Sequence, residues 1–155
     1  LHLAHRRQRQ MCIRDMDKKG KSLSKNQKIV LDFIQKNKKP VKAYSILSNV
    51  EKKGINAPPQ VYRALDKLIE IGKIHRVESQ NSFVACKISN CDTPHKTIFS
   101  ICNSCEIVSE INDPKLFKNL KDFRDKDGTV FDGYNLEFFG TCKSCKNKQI
   151  ENTKH

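Results

Sequence analysis

Two pairs of cysteines carry the most specific chemistry in this chain: Cys102-Asn103-Ser104-Cys105 and Cys142-Lys143-Ser144-Cys145. A two-residue gap lets both sulfurs of a pair reach one ion from a tight turn. Four thiolates at about 2.3 Å satisfy the tetrahedral preference of zinc and leave no open position, which makes such a site structural rather than catalytic. A thioredoxin-like redox pair is the competing reading, but that motif usually stands once beside a βαβ pattern, and no such pattern is evident here. The seven cysteines are an odd number, and residues 1–22 hold basic residues without an apolar signal core. Both observations favour metal-bound thiolates in a reducing cytoplasm over a disulfide framework.

A second set of ligand types is His75, Cys86, His95 and Glu110. Two imidazoles, a thiolate and a carboxylate could form a tetrahedral shell, and the thiolate favours zinc over manganese. Taken singly, each has a plainer reading. A lone histidine on a strand is more often a packed or surface residue, and Glu110 could be solvated. Cys91 is a possible substitute ligand or a free loop thiol. If the four converge, two come from each half of the chain. Occupancy would then fix the angle between the halves by favouring the closed arrangement.

The elements that must position these residues read as follows. Ser24-Lys25-Asn26-Gln27 has capping-box form, and Ile29, Val30, Phe33 and Ile34 fall on one face of a helix that Pro40 should stop. A second helix is expected from about Val41 to Lys53, with Ala43, Ile46, Leu47 and Val50 inward and Gly54 as its stop. A third starts at Pro58-Pro59, since proline suits the first helical turn; it buries Val61, Leu65, Leu68 and Ile69 and closes at Gly72. Strands Lys73–Glu78 and Ser82–Cys86 follow, joined by a turn at Ser79-Gln80-Asn81. Three helices and a hairpin describe a winged helix-turn-helix over residues 23–86. Residues 87–96 read as a hinge. Residues 97–150 read as a small α/β unit with strands Thr97–Ile101, Ile107–Ile111 and Thr129–Gly140 and a helix Asp113–Asp125. In the last strand Tyr134, Leu136 and Phe138 alternate against Asn135 and Glu137. That unit has a thin core and needs a staple, a partner chain, or both. Residues 1–22 are expected to be a flexible or non-native arm, with a nucleic-acid-binding arm as the alternative; Cys12 there is given no role, and residues 151–155 are a tail. The fold class is therefore α+β: an N-terminal winged helix plus a small C-terminal α/β unit, stapled by zinc, covered by a partner chain in a dimer, or both.

Charge separates the halves. Lys and Arg number 30 against 17 Asp and Glu, a net +13. Residues 1–23 hold 7 basic and 2 acidic side chains (+5), residues 24–87 hold 13 and 5 (+8), and residues 88–155 hold 10 of each. The polycationic half suits a polyanion, though general solubility is the blander explanation. No apolar run approaches the ~18 residues a bilayer span needs. In the third helix Gln60, Tyr62, Arg63, Asp66 and Lys67 face outward. Arg63 could pair bidentately with guanine, and Tyr62 could bond phosphate or pack on a thymine methyl. Lys42, Tyr44, Lys52 and Lys53 flank it and could hold phosphates.

Ala57-Pro58-Pro59-Gln60-Val61-Tyr62-Arg63-Ala64-Leu65, Ile74-His75-Arg76-Val77-Glu78-Ser79, Phe83-Val84-Ala85-Cys86 and the two C-x-x-C pairs, in that order, resemble the ferric uptake regulator family, with the zinc-uptake branch the nearest. The resemblance spans about residues 23–147. It implies a zinc-responsive, homodimeric repressor that binds AT-rich, near-palindromic operators of zinc-uptake genes, with two zinc ions per protomer and no small-molecule substrate. It implies structural zinc at Cys102, Cys105, Cys142 and Cys145 and regulatory zinc at His75, Cys86, His95 and Glu110. It places DNA contacts on Tyr44, Tyr62 and Arg63. The hinge departs from many relatives in having one histidine, and a third metal site has no evident ligands before His155.

Three other functions compete. A redox or peroxide sensor would use Cys91 and Cys86, and a zinc-ribbon scaffold would bind RNA. An enzyme is disfavoured: the zinc-deaminase H-x-E pattern fails, because His75 is followed by Arg76-Val77-Glu78, and two sites filled by protein ligands leave no place for an activated water.

Overall fold

The computed structural model describes residues 22–88 and 96–152. Residues 1–21 of the expected arm (with Cys12), hinge residues 89–95 (with Cys91 and His95) and residues 153–155 lie outside the described residues.

The first helix, α1 (Lys25–Lys36), opens on the expected capping box. Ser24 Oγ accepts from the Gln27 amide at 3.3 Å, and Gln27 Oε1 accepts from the Ser24 amide at 2.8 Å. Its end is set before Pro40. Asn37 leaves helical geometry, and its side-chain amide donates to the Phe33 carbonyl at 2.7 Å. The buried face carries Val30, Leu31 and Ile34, while Ile29 and Phe33 are only partly covered. The second helix is shorter than expected. Val41–Lys42 form strand β1, and helix α2 (Ala43–Val50) follows, extended by a 3₁₀ turn over Glu51–Lys53 and closed by Gly54 at φ 90°. The reason is tertiary: Val41 pairs with Phe83 on the wing and is buried there. Helix α3 (Pro58–Glu70) starts on its two prolines. Strands β2 (Ile74–Val77) and β3 (Ser82–Ala85) make the wing, in a sheet of order β1-β3-β2. One core joins the three helices to this sheet through Ile46, Val50, Ile55, Val61, Leu65, Leu68, Ile74 and Phe83. This is a winged helix.

The second unit is built on β4 (Lys96–Cys102), β5 (Val108–Glu110) and β6 (Tyr134–Gly140), in the order β5-β4-β6. Strand β5 is antiparallel to β4 and β6 is parallel to it, so the chain must cross over between them, and helix α4 (Pro114–Lys121) lies in that crossover. Both expected boundaries retract here. Asp113 caps α4, which ends at Lys121. The Asp125 carboxylate takes the Asp127 and Thr129 amides and the Thr129 hydroxyl, folding residues 125–129 into a loop, and the strand expected from Thr129 begins only at Tyr134. A last helix, α5 (Lys143–Asn152), was not foreseen; the Lys146 amide bonds the Cys142 carbonyl at 2.9 Å, so it grows directly out of the second cysteine pair.

The thin core is visible. Ile98, Phe99, Ile101 and Val108 are buried, whereas Leu116, Phe117, Leu120 and Leu136 are half-buried and Phe123, Phe138 and Phe139 are exposed. The expected inward Phe138 is 51% exposed, while Glu137 is half-buried. The two units meet through the wing. Strand alternation puts Ile74 and Arg76 on one face and His75 and Val77 on the other, and Val77 packs with Phe99, Ile101 and Val108 while Val84 adjoins them.

Candidate metal centres

The four paired cysteines converge. Their sulfurs lie within 4.8 Å of one another, and Cys105 Sγ is 3.8 Å from Cys142 Sγ. Tetrahedral Zn–S bonds of about 2.3 Å require S···S edges of about 3.8 Å, so the cluster has the dimensions of a zinc site. The first pair terminates β4 and the second follows β6, and the parallel β4–β6 pairing brings the two turns together. The Asn103 amide bonds the Gly140 carbonyl at 2.8 Å, and the Cys142 amide points at Cys102 Sγ from 3.3 Å. Glu106 takes φ 61° to close the first turn. Backbone amides, that of Cys142 first and then Cys105, hold the Cys102 thiol down to about 6, against burial. Hydrogen bonding to Cys142 and Cys105 together with burial pushes the Cys145 thiol up to about 12.

The second cluster joins the units. His75, Cys86 and Glu110 place one ligand atom each within 4.8 Å of the others. His75 Nε2 is 3.3 Å from Glu110 Oε1, and Cys86 Sγ is 4.0 Å from the same oxygen. Zn–N and Zn–O bonds of about 2.0 Å give tetrahedral edges near 3.3 Å, so this spacing also fits the ion. His75 is on β2, Cys86 immediately follows β3, and Glu110 ends β5. The His75 ring leans on Phe99 with centroids 6.2 Å apart, and the His75 side chain is 1% exposed. Burial acts to raise the Glu110 carboxyl. The hydrogen bond and charge of His75, the Lys87 amide and the Cys86 thiol outweigh it, leaving the carboxyl below its usual range. The sign follows from linkage: this stabilisation of the closed arrangement is present above the ordinary carboxylate range and is lost as pH falls through the lowered value. His95, the fourth expected ligand, lies outside the described residues.

In the winged helix, Lys42, Tyr44, Gln60, Tyr62 and Arg63 are all exposed. Tyr44 is 80% and Tyr62 54% exposed. Asp66 is also exposed, and Lys67 is drawn to Glu70 at 2.8 Å. Among the described residues no helix is long and apolar enough to cross a membrane.

A winged helix seated on a second α+β unit, with one ligand cluster inside that unit and another at the junction, defines a two-part winged-helix protein with metal-type sites. The chain belongs to the ferric uptake regulator family, whose sequence profile matches residues 18–139. It is similar to the zinc uptake regulation proteins of Escherichia coli (strain K12) and Shigella flexneri, 33% identical to each over 116 residues. Those matches span 74% of this chain and 66% of each relative, so the chain covers just under two thirds of their length. Its fold is similar to the crystal structure of holo XcZur, with TM-score 0.73 and 37% identity over 83% of this chain and 89% of that one. It is equally similar, at TM-score 0.73 and 30% identity, to a zinc uptake regulator complexed with zinc and DNA, over 82% of this chain and 85% of that one.

Proposed function

We propose that this protein is a zinc-responsive transcriptional repressor, not an enzyme, that binds operator DNA as a zinc-loaded homodimer in the cytoplasm and controls zinc-uptake genes. The observation that carries the reading is the junction cluster. His75 and Cys86 belong to the winged helix and Glu110 to the other unit, so a shared ion would stabilise one orientation of the wing. Likeness to a zinc uptake regulator complexed with zinc and DNA supports both the ion and the nucleic acid. In this reading each protomer holds two zinc ions. Cys102, Cys105, Cys142 and Cys145 hold the structural one, and His75, Cys86, Glu110 and His95 hold the regulatory one. A bound ion supplies only a positive centre that holds these ligands together. The protein's part is differential: its ligands converge when the units are closed and separate when they open, so occupancy shifts the population toward the closed form. The expected result of withdrawing zinc stepwise is loss of one ion per protomer together with operator binding, while the second ion stays. Operator affinity that persists after the weaker zinc has left would sink the proposal.

Operator contacts are assigned to Arg63, Tyr62 and Gln60 on α3, with Lys42 and Tyr44 at the start of α2. Arg63→Ala should weaken operator binding by about 1–3 kcal/mol and relax base preference at one position. Lys42→Ala should weaken all sequences alike and lower the salt dependence by about one counterion. Fluorescence anisotropy against operator and scrambled duplexes at several salt concentrations separates the two.

The homodimer is supported by the uncovered apolar surface of the second unit, where Phe138 and Phe139 are 51% and 58% exposed on β6. Exposed phenylalanines on an edge strand call for a covering partner. Phe138→Ser/Phe139→Ser should sediment as a monomer at micromolar concentration while keeping the winged-helix fold; a dimer of unchanged affinity would move the interface elsewhere.

A further inference from the structure

Three residues form a row across the second sheet. Phe99 on β4 is the register partner of Glu110 on β5 and of Glu137 on β6. Register partners share a face of the sheet, and this is the face that receives the wing. Phe99 packs against Val77 and the His75 ring, with a carboxylate on each side of it. Glu110 meets His75 and Cys86. Glu137 reaches the far end of the same wing strand, where Oε1 accepts from the Glu78 amide at 2.7 Å and Oε2 from the Ser79 amide at 3.2 Å. His75 lies within the strand, whereas Glu78 and Ser79 lie in the turn just past its end at Val77, so the two contacts grip the wing at separate points.

We propose that Glu137 is a positioning residue that holds the second of two attachment points, so that the junction cluster and Glu137 together set the angle of the wing. One attachment leaves a strand free to pivot; two separated along its length do not. The turn that Glu137 grips is held in shape from within. The Asn81 amide bonds the Glu78 carbonyl at 3.1 Å, Asn81 sits at φ 44°, and Arg76 reaches Asn81 at 3.0 Å and Glu78 at 3.2 Å. Asparagine tolerates that left-handed conformation better than most residues. Two backbone amides are therefore presented to one carboxylate, an arrangement that favours charge-assisted hydrogen bonds. The site is open to water, so its contribution is modest, but it exists only when the units are closed. Apparent zinc affinity at the junction equals the intrinsic affinity multiplied by the closed fraction. Glu137 raises that fraction without touching the ion.

The inference rests on the proposed regulatory role of the junction, and the test keeps the two apart. In the full-length protein carrying its structural zinc, Glu137→Ala should speed hydrogen exchange at the Glu78 and Ser79 amides. It should also raise the zinc concentration at half-closure, read by energy transfer between dyes on the two units, by roughly three- to tenfold. Glu137→Gln keeps one carbonyl acceptor and should fall between the two. Zinc content at the four cysteines and the melting of the winged helix should not move. An unchanged half-closure concentration, or unchanged exchange at both amides, overturns the role of Glu137. If zinc closes the protein and Glu137→Ala shifts that closure, but operator binding ignores zinc, the latch stands and the regulatory proposal fails.

Discussion

Cys86→Ser, with the protein folded and one zinc retained, should bind operator DNA at least about a hundredfold more weakly than the parent at saturating zinc. The size follows from what the thiolate does. Changing groups that merely orient a ligand costs about 10–100-fold in metal affinity, and deleting a ligand costs at least as much. Moving a two-state equilibrium from 1:99 to 99:1 needs about 10⁴-fold preference of the ion for one state. A shell that loses its softest donor cannot supply that. The remaining His75–Glu110 pair, 3.3 Å apart, would still bias the units toward closure, so some operator affinity should survive without responding to zinc. Wild-type zinc dependence in the serine variant would remove Cys86 from the sensor. Serine is the right replacement because Cys86 is half-buried at a strand end and its backbone amide still bonds the Lys73 carbonyl at 3.0 Å.

What could be read in the sequence was what is local. The Ser24–Gln27 box, the Pro58-Pro59 start and the two C-x-x-C turns are specified by neighbours in the chain, and each forms where its signal stands. The junction cluster was legible as residue types and order, since convergence of His75, Cys86 and Glu110 is a tertiary fact that spacing alone does not contain. Val41 was misassigned to a helix because its partner, Phe83, lies forty-two residues away. Glu137 was invisible for a related reason. An acidic residue alternating with Leu136 and Phe138 looks solvent-facing until a second sheet is known to cover that side, and here the wing covers it. The last helix, Lys143–Asn152, has almost no amphipathic pattern to announce it; it follows from the turn of the second cysteine pair rather than from an apolar face.

Cys142→Ser should have the largest effect on the fold, and it should be confined to one unit. Structural zinc contributes roughly 10–16 kcal/mol of binding free energy that acts as folding free energy, against a net stability of about 5–15 kcal/mol for a whole domain. The second unit has little else to hold it: its buried apolar residues are few, and α4 buries none of its side chains fully. Cys142 would be more than a ligand. Its amide is the largest influence lowering the Cys102 thiol to about 6, and its carbonyl starts the last helix. Serine keeps that backbone but removes the sulfur that lies 3.8 Å from Cys105, so loss of fold in this variant isolates the ligand from the turn. The winged helix has a core of its own, in which Val30, Ile46, Val50, Leu68 and Ile74 are fully buried. It should therefore keep its α1–α3 amide protection, losing only the cover over Val77 on the wing. Hydrogen exchange resolved by residue, with zinc content and sedimentation on the same sample, should show protection over residues 25–70, none over 96–140, no bound zinc and a monomer. Full protection over 96–140 in zinc-free protein would mean that the strand pairing of β4 with β6 suffices, and that the four cysteines serve some purpose other than holding this unit together.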